Sequence, residues 1–303
     1  MSLKLSGTME FIEEVKHYAV SEDVQLYTRI VTGKDEDTKG GAGKTAIYIH
    51  GGGSGGNHTM LLRPGKWLIE QGMFQRVILP DRRGEGLSTP LKAKLTLKDH
   101  AKDMSGLLDT LGINGKVTVL GISYGGPIAL ELAAMDNRID EVILMASSPS
   151  LKEVKGIQGF LYRHGFLEKI TRIFYKKTLG KSPVEYPDFE KVYDLETNRD
   201  LTNYFVDAIK KTDPALLESL MFQNASTLDQ KNNGVAENFT LDLPIYQIIG
   251  TKDEIWETDL KGYESRFPNI KSYHVEGEKH KGVILNAGPF YQGLKAIYGD
   301  HSN

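Results

Sequence analysis

The chain contains no cysteine. That single absence excludes a disulfide framework, a thiolate metal site and a cysteine nucleophile together. No stretch approaches the 18 or so consecutive apolar residues that a membrane-spanning helix needs. The N-terminal MSLKLSGTMEFIEEVKHYAV lacks the apolar core and small-residue cleavage pattern of a secretory signal. Charge of one sign is also lacking, with 37 Lys and Arg against 40 Asp and Glu. Neither nucleic acid nor an acidic membrane is therefore an expected obligatory partner. The expectation is a cytoplasmic protein with no cofactor and no metal, acting on a small molecule, its oligomeric state left open. With 303 residues, 40% of them hydrophobic, the chain can bury a large core without staples.

What is present is an alternation. Val24, Leu26 and Thr28 alternate with Gln25, Tyr27 and Arg29, which is a period of two. Gly33 to Gly43 reads as a loop. Short β-branched runs follow at 45–50 (TAIYIH), 76–80 (RVILP), 116–120 (KVTVL), 141–145 (EVILM) and 245–249 (IYQII). Continuous apolar runs of this length suit strands buried on both faces of a parallel sheet. Between them, 97–111 carries Ala101, Met104, Leu107, Leu108 and Leu111 at helical spacing, and 126–135 is apolar nearly all round. Strands alternating with helices predict an α/β fold, a mostly parallel sheet with helices on both faces. The two N-terminal runs would form an antiparallel hairpin at one edge.

The alternation stops after Ser147 and resumes at Pro244. The residues between are helix-like, with Phe166, Leu167, Ile170, Ile173 and Phe174 on one face and Leu216, Leu217, Leu220 and Met221 on another. This predicts a core of residues 1–149 and 240–303 interrupted by a helical cap at 150–239. The cap is uneven in charge. Residues 152–181 hold eight Lys/Arg and two Glu, whereas 183–229 hold four Lys/Arg and ten Asp/Glu. Two balancing solvated faces account for this. The aromatic side of the basic stretch, with Phe166, Phe174 and Tyr175, is expected to line a substrate cavity.

Three segments carry the chemistry. Gly121-Ile122-Ser123-Tyr124-Gly125 would mean little alone, but it follows a strand directly and opens a buried helix directly. A nucleophile elbow needs that setting, because the turn lifts a serine Oγ above the sheet over a helix N-terminus. His50-Gly51-Gly52-Gly53-Ser54-Gly55-Gly56 ends the first buried strand. It can be read as a flexible linker, a phosphate cradle or a loop supplying a backbone N–H to a developing oxyanion. It lacks the Lys-Ser/Thr of a P-loop. Asp81, at the end of the next strand, keeps a dinucleotide-binding reading open. A serine nucleophile needs a base and an orienting acid. Of the late histidines, His274 sits within the strand-like run 271–275, whereas His280 lies in a loop and is the favoured base. Asp253 follows the run 245–249 at the carboxyl end of the sheet and is the favoured acid. Glu254, one residue on, reads as a solvated carboxylate.

These segments, with Asp81-Arg82-Arg83-Gly84-Glu85-Gly86-Leu87-Ser88, Gly250-Thr251-Lys252-Asp253 and Gly277-Glu278-Lys279-His280, resemble the α/β-hydrolase superfamily over nearly the whole chain. The resemblance is to the capped branch of proline iminopeptidases, haloperoxidase-like esterases and carbon–carbon bond hydrolases. It implies a Ser123–His280–Asp253 triad, in the chain order expected for this fold. It also implies an oxyanion hole from the backbone N–H of Tyr124 and of Gly52, with Gly53 next, and a structural turn at 81–88. Proline iminopeptidases usually have Pro where Gly53 stands and Trp where Tyr124 stands. Their substrate-binding cap glutamates find no match in Glu185, Asp188, Glu190 or Glu196. Dehalogenases and epoxide hydrolases of the branch use Asp where Ser123 stands. The resemblance therefore implies a serine hydrolase acting on an ester or related acyl bond. Aminopeptidase, carbon–carbon hydrolase and non-catalytic ligand sensor remain alternatives.

Overall fold

A computed structural model describes residues 3–34, 43–52, 56–152, 166–181, 183–228, 234–259 and 263–299. Eight strands form one sheet: β1 (Phe11–Ser21), β2 (Val24–Gly33), β3 (Thr45–Ile49), β4 (Arg76–Pro80), β5 (Val117–Ile122), β6 (Ile139–Met145), β7 (Ile245–Gly250) and β8 (Ile270–Val275). Their order across the sheet is β1-β2-β4-β3-β5-β6-β7-β8. The first two pairings are antiparallel and the remaining five are parallel. The expected edge hairpin and parallel interior are both present.

Side-chain alternation explains why the interior strands are apolar throughout. On β3, Ala46 and Tyr48 face one core while Ile47 and Ile49 face the other. The first core packs under α1 (Leu62–Glu70) and α8 (Ala287–Gly299), through Trp67, Leu68, Phe290, Tyr291 and Leu294. The second packs under α2 (Leu97–Thr110) and α3 (Gly125–Met135), through Met104, Leu107, Leu108, Ile128 and Leu132. Each strand residue leaves water on both sides of the sheet, so polar alternation has no place there. By contrast β8 closes an edge, and Lys271 to His274 on it are exposed. Helix α2 starts at a capping box. Thr96 accepts from the Asp99 amide and Asp99 accepts from the Thr96 amide, which satisfies two otherwise orphaned donors.

Between β6 and β7 the described residues contain α4 (Phe166–Thr178), α5 (Asn198–Lys211), α6 (Leu217–Leu228) and 3-10 turns at Phe189–Asp194 and Pro214–Leu216. Among the described residues of this stretch, the only strand-like pairing is an isolated bridge from Leu151 to Trp256, which lies past β7. Phe189, Val192, Tyr193 and Leu201 join the first core. Of the expected aromatic lining, the Phe166 side chain lies outside the described residues, and neither Phe174 nor Tyr175 forms it. Ile170, Ile173 and Phe174 are exposed, while Tyr175 turns inward to a small separate cluster with Ile209 and Leu220. Tyr175, with Leu179 just past the helix end, is the packed position here, not the stripe of Ile170, Ile173 and Phe174. Helix α7 (Gly282–Leu285) is a single turn leading into α8. No helix among the described residues is long and apolar enough to cross a membrane.

One contact joins a helix to a strand. A Cβ on Gly125, at the start of α3, would lie 2.3 Å from the Ile49 carbonyl oxygen of β3. Helix and strand backbones therefore meet with no room for a side chain. Gly125→Ala is expected to destabilise the fold by about 1–3 kcal/mol, as overpacking of a filled site does. Denaturant unfolding checks this, and an unchanged midpoint would contradict the close approach.

Candidate active site

The parallel strands deliver their carboxyl ends to one side of the sheet, where chain turns off into loops. Ser123 lies one residue past β5, and its φ of +53° is in the left-handed region. That conformation is uncommon for a residue with a Cβ and marks a locally strained turn. Three strand ends hold it. The Ser123 N–H donates to the Met145 carbonyl at 3.0 Å. The Ser123 carbonyl accepts from the Gly126 N–H at 2.9 Å and from Ser147 Oγ at 2.7 Å. Gln247 of β7 in turn donates to the Ser147 carbonyl at 3.0 Å. Inside the turn, a Cβ on Gly121 would stand 2.2 Å from the Gly125 carbonyl oxygen. The glycine at that place in the motif is therefore sterically required.

The turn presents Ser123 Oγ to His280. Oγ and His280 Nε2 are 3.0 Å apart, and His280 Nδ1 is 2.9 Å from Asp253 Oδ2. Asp253 is 1% exposed. Its other oxygen accepts the backbone N–H of Ile255 at 2.9 Å and of Trp256 at 3.0 Å. A carboxylate held by two amides at one oxygen has a fixed second oxygen, and that oxygen faces the imidazole. The arrangement gives His280 an Nδ1–H that donates to Asp253, leaving Nε2 to accept from the serine hydroxyl. The three residues named from the sequence are thus brought together, in hydrogen-bond contact.

Neighbouring residues sort out as well. His274 is exposed on edge strand β8. Glu254 is exposed too, but it is not merely solvated. Its Oε2 accepts the His280 backbone N–H at 3.1 Å, which fixes the loop carrying the imidazole. On the next turn, Lys252 donates its N–H to the Glu278 carbonyl at 2.8 Å. The loops after β7 and β8 are therefore tied together on both sides of the Asp253–His280 pair.

The glycine loop lies against the elbow. A Cβ on Gly51 would be 3.1 Å from Ser123 Cβ, and one on Gly52 would be 2.9 Å from Tyr124 Cβ and 2.7 Å from Thr227 Cγ2 on α6. Gly52 is thereby sandwiched between the elbow and α6. Gly53 falls outside the described residues. Tyr124 is the N-cap residue of α3, where the first helical amides have no partner within the helix.

Asp81 is consumed by the turn at 81–88 and has no capacity left for a ribose. It is fully buried. Its carboxylate accepts from the His58 N–H at 2.6 Å, from the Leu87 N–H at 3.0 Å and from Tyr186 Oη at 2.8 Å. The dinucleotide reading fails on this ground. Tyr186 comes from the segment between β6 and β7, whose neighbour Pro187 accepts from Asn57 Nδ2 at 2.7 Å. A cleft of about 200 Å³ opens at this junction, lined by Gly86, Tyr186, Leu216 and Leu220, and none of Ser123, Asp253 and His280 lines it. No group of three or more metal-ligating side chains occurs among the described residues.

Residues 47–287 match the family model of the alpha/beta hydrolase fold. The chain belongs to that family. Among solved structures of similar fold is an esterase from Thermogutta terrifontis, 18% identical, with a TM-score of 0.63 over 96% of this chain and 100% of that one. Another is a 2-hydroxy-6-oxo-6-phenylhexa-2,4-dienoate hydrolase from Rhodococcus sp. strain RHA1, also 18% identical, with a TM-score of 0.64 over 96% and 100%. A carboxylesterase structure from the thaumarchaeon Nitrososphaera gargenis is 20% identical, with a TM-score of 0.62 over 94% and 98%. No curated protein matches the chain in sequence. At these identities the similarity establishes the family fold, and the chemistry has to be argued from the residues.

Of four residues near the site, His50 and Arg82 stood in the sequence only as members of their motifs, and Gln223 and Thr227 gave no sequence signal. Each is remote in the chain from Ser123, and only the tertiary fold assembles them. The tautomer assignment for His280 is open to a direct check. Nitrogen-15 labelling of histidine should show a protonated Nδ1 coupled to one low-field proton. Asp253→Asn should remove or invert that signal, since its amide nitrogen can no longer accept. Persistence of the Nδ1–H resonance would contradict the assignment.

Proposed function

We propose that this alpha/beta hydrolase family member is a serine hydrolase cleaving an ester or related acyl bond of a small substrate. The reading rests on one observation, the unbroken chain from Ser123 Oγ through His280 to the buried Asp253 carboxylate, at 3.0 and 2.9 Å.

In this mechanism Ser123 Oγ attacks the acyl carbon as His280 Nε2 takes its proton. The Asp253 carboxylate stabilises the imidazolium that forms and keeps the ring in register. The carbonyl oxygen, now an oxyanion, is held by the backbone N–H groups of Tyr124 and Gly52, with the positive end of α3 adding to the field. Collapse expels the leaving group, which receives the proton from His280 and leaves an acyl-enzyme on Ser123. Water then enters, gives a proton to His280 and adds to the acyl carbon; collapse releases the carboxylic acid, and His280 returns its proton to Ser123 Oγ. Residues 150–239 would act as a lid, with α6 approaching the glycine loop at Gly52 through Thr227.

The esterase from Thermogutta terrifontis and the thaumarchaeal carboxylesterase, which share this fold, are in keeping with an ester substrate. An aminopeptidase reading has less behind it. Glu185 ion-pairs with Lys211 at 2.7 Å and Asp188 caps the Glu190 amide at 3.0 Å, so each already has a partner within the chain.

Ser123→Ala should lower kcat on p-nitrophenyl esters by several orders of magnitude while the fold stays intact. A fluorophosphonate probe should label the wild type at Ser123 and spare the variant. Near-normal turnover by the variant would overturn the role of Ser123. Turnover only of aminoacyl naphthylamides or dienoates would replace the ester assignment, and neither labelling nor turnover would point to a ligand sensor.

A further inference from the structure

The glycine loop could supply a donor in the wrong direction as easily as in the right one, because a glycine peptide can flip at little cost. Something must fix the Gly51–Gly52 peptide. Its carbonyl oxygen, on Gly51, accepts two hydrogen bonds. One comes from Arg82 Nη2 at 2.8 Å and the other from His50 Nδ1 at 3.0 Å. The His50 tautomer is set from its far side, where the Arg82 backbone N–H donates to Nε2 at 3.0 Å. Nδ1 therefore carries the proton and donates it to the Gly51 carbonyl. Burial, aided by the adjacent Arg82 guanidinium, pushes the His50 pKa down to about 3, so the ring stays neutral in this role. A single residue thus acts twice on the same carbonyl, once with its side chain and once through His50.

A peptide unit is planar and trans, so its C=O and N–H point in opposite directions. Holding the Gly51 oxygen on the Arg82 side turns the Gly52 N–H to the opposite side. The elbow lies along both glycines, as the contacts of Gly51 with Ser123 and of Gly52 with Tyr124 require. Arg82 is in turn held from α6. The Gln223 carboxamide, with its oxygen turned to the guanidinium, accepts from Nη1 at 2.8 Å and from Nη2 at 3.1 Å. The guanidinium also stacks 5.2 Å from the Tyr124 ring centroid and sits 3.5 Å from Glu85 Oε1. Arg82 and Gln223 are both fully buried. A flat cation of fixed orientation, with donors on two arms, suits this bridging in a way that a lysine point charge does not.

We infer that Arg82 is a positioning residue for the oxyanion hole. Together with His50 it clamps the Gly51 carbonyl so that the Gly52 N–H faces the reacting carbonyl oxygen, and Gln223 couples that clamp to α6. The inference rests on the serine-hydrolase reading above. It makes the seating of α6 and the assembly of the oxyanion hole one event.

Arg82→Lys and Gln223→Met test it in the full chain, each first checked for a cooperative unfolding transition. Both keep most of the side-chain volume. Arg82→Lys is expected to lower kcat on p-nitrophenyl acetate about 10- to 100-fold, at or below the loss from deleting one oxyanion donor, with KM within about twofold. Gln223→Met should lower it about 3- to 10-fold. A trifluoromethyl ketone, whose hemiketal oxygen occupies the oxyanion hole, should lose affinity in parallel with kcat. Folded Arg82→Lys with wild-type kcat, or with kcat lowered and ketone affinity unchanged, would overturn the inference. If Arg82→Lys does not fold, Gln223→Met decides by the same comparison. Failure of the parent reading looks different: the wild type itself would then neither turn over esters nor take the fluorophosphonate.

Discussion

The structure depends on a backbone contact with no side chain in it. Where β3, β5 and α3 meet, Gly125 touches the Ile49 carbonyl and Gly121 touches the Gly125 carbonyl, both closer than any Cβ allows. This packing forces the chain to leave β5 in a turn that drives Ser123 to a φ of +53°. The strain is not relieved locally. Hydrogen bonds from β6 and the residues just past it, themselves tied to β7, hold the turn in place. Ala146, in the matching position after β6, has a φ of +44°. Two adjacent strand ends are thus bent out of the sheet in the same way. Such conformations persist only where the surroundings over-determine them. Here the surroundings are four parallel strands and a helix whose packing is worth far more than the turn costs.

The acid and the base come from the same geometry. The loops after β7 and β8 leave the sheet on the side to which β5 delivers Ser123. The Asp253 carboxylate is fixed by the amides of its own loop, and the His280 loop is fixed by Glu254 and by the Lys252–Glu278 backbone pair. Lys152 Nζ adds a hydrogen bond to the Asp253 carbonyl. The Asp253 carboxylate has three donors, and the buried Arg82 guanidinium has Glu85 as its counter-ion. A buried charge without such partners would cost several kcal/mol.

Much of this was legible in the sequence, for reasons that differ by element. The interior strands announced themselves because burial on both faces demands unbroken apolar runs, as in RVILP and KVTVL. The glycines at 121 and 125 were legible because close approach leaves no substitute for them. Ser123, Asp253 and His280 could be named because each stands immediately after, or one loop beyond, a recognisable strand. Helix α4 was misread from its spacing. Ile170, Ile173 and Phe174 form a regular apolar stripe, yet the fold buries Tyr175 on another face instead, and periodicity alone does not say which face meets a partner. Glu254 was taken for a solvated group because its bond to the His280 amide depends on how two loops 26 residues apart cross.

Arg82 is the instructive omission. Beside Asp81 and Arg83 it reads as one more charge in a polar turn, and Arg83 does play such a part, pairing with Asp103 of α2 at 2.8 and 2.9 Å. Arg82 points the other way, into the interior. Its side chain ends at the Gly51 carbonyl, its backbone ends at His50, and a carboxamide from α6 covers its outer arm. Nothing in the spacing of 51, 82 and 223 hints at this convergence. The parallel order β4-β3-β5 produces it, by laying the loops that follow β4 and β3 side by side next to the elbow that follows β5. A glycine loop gains close approach by giving up side chains, and with them any means of orienting its own peptides. The orientation must then come from outside the loop. In this chain a buried arginine supplies it, with Glu85 and the Gln223 carboxamide meeting the charge that this requires.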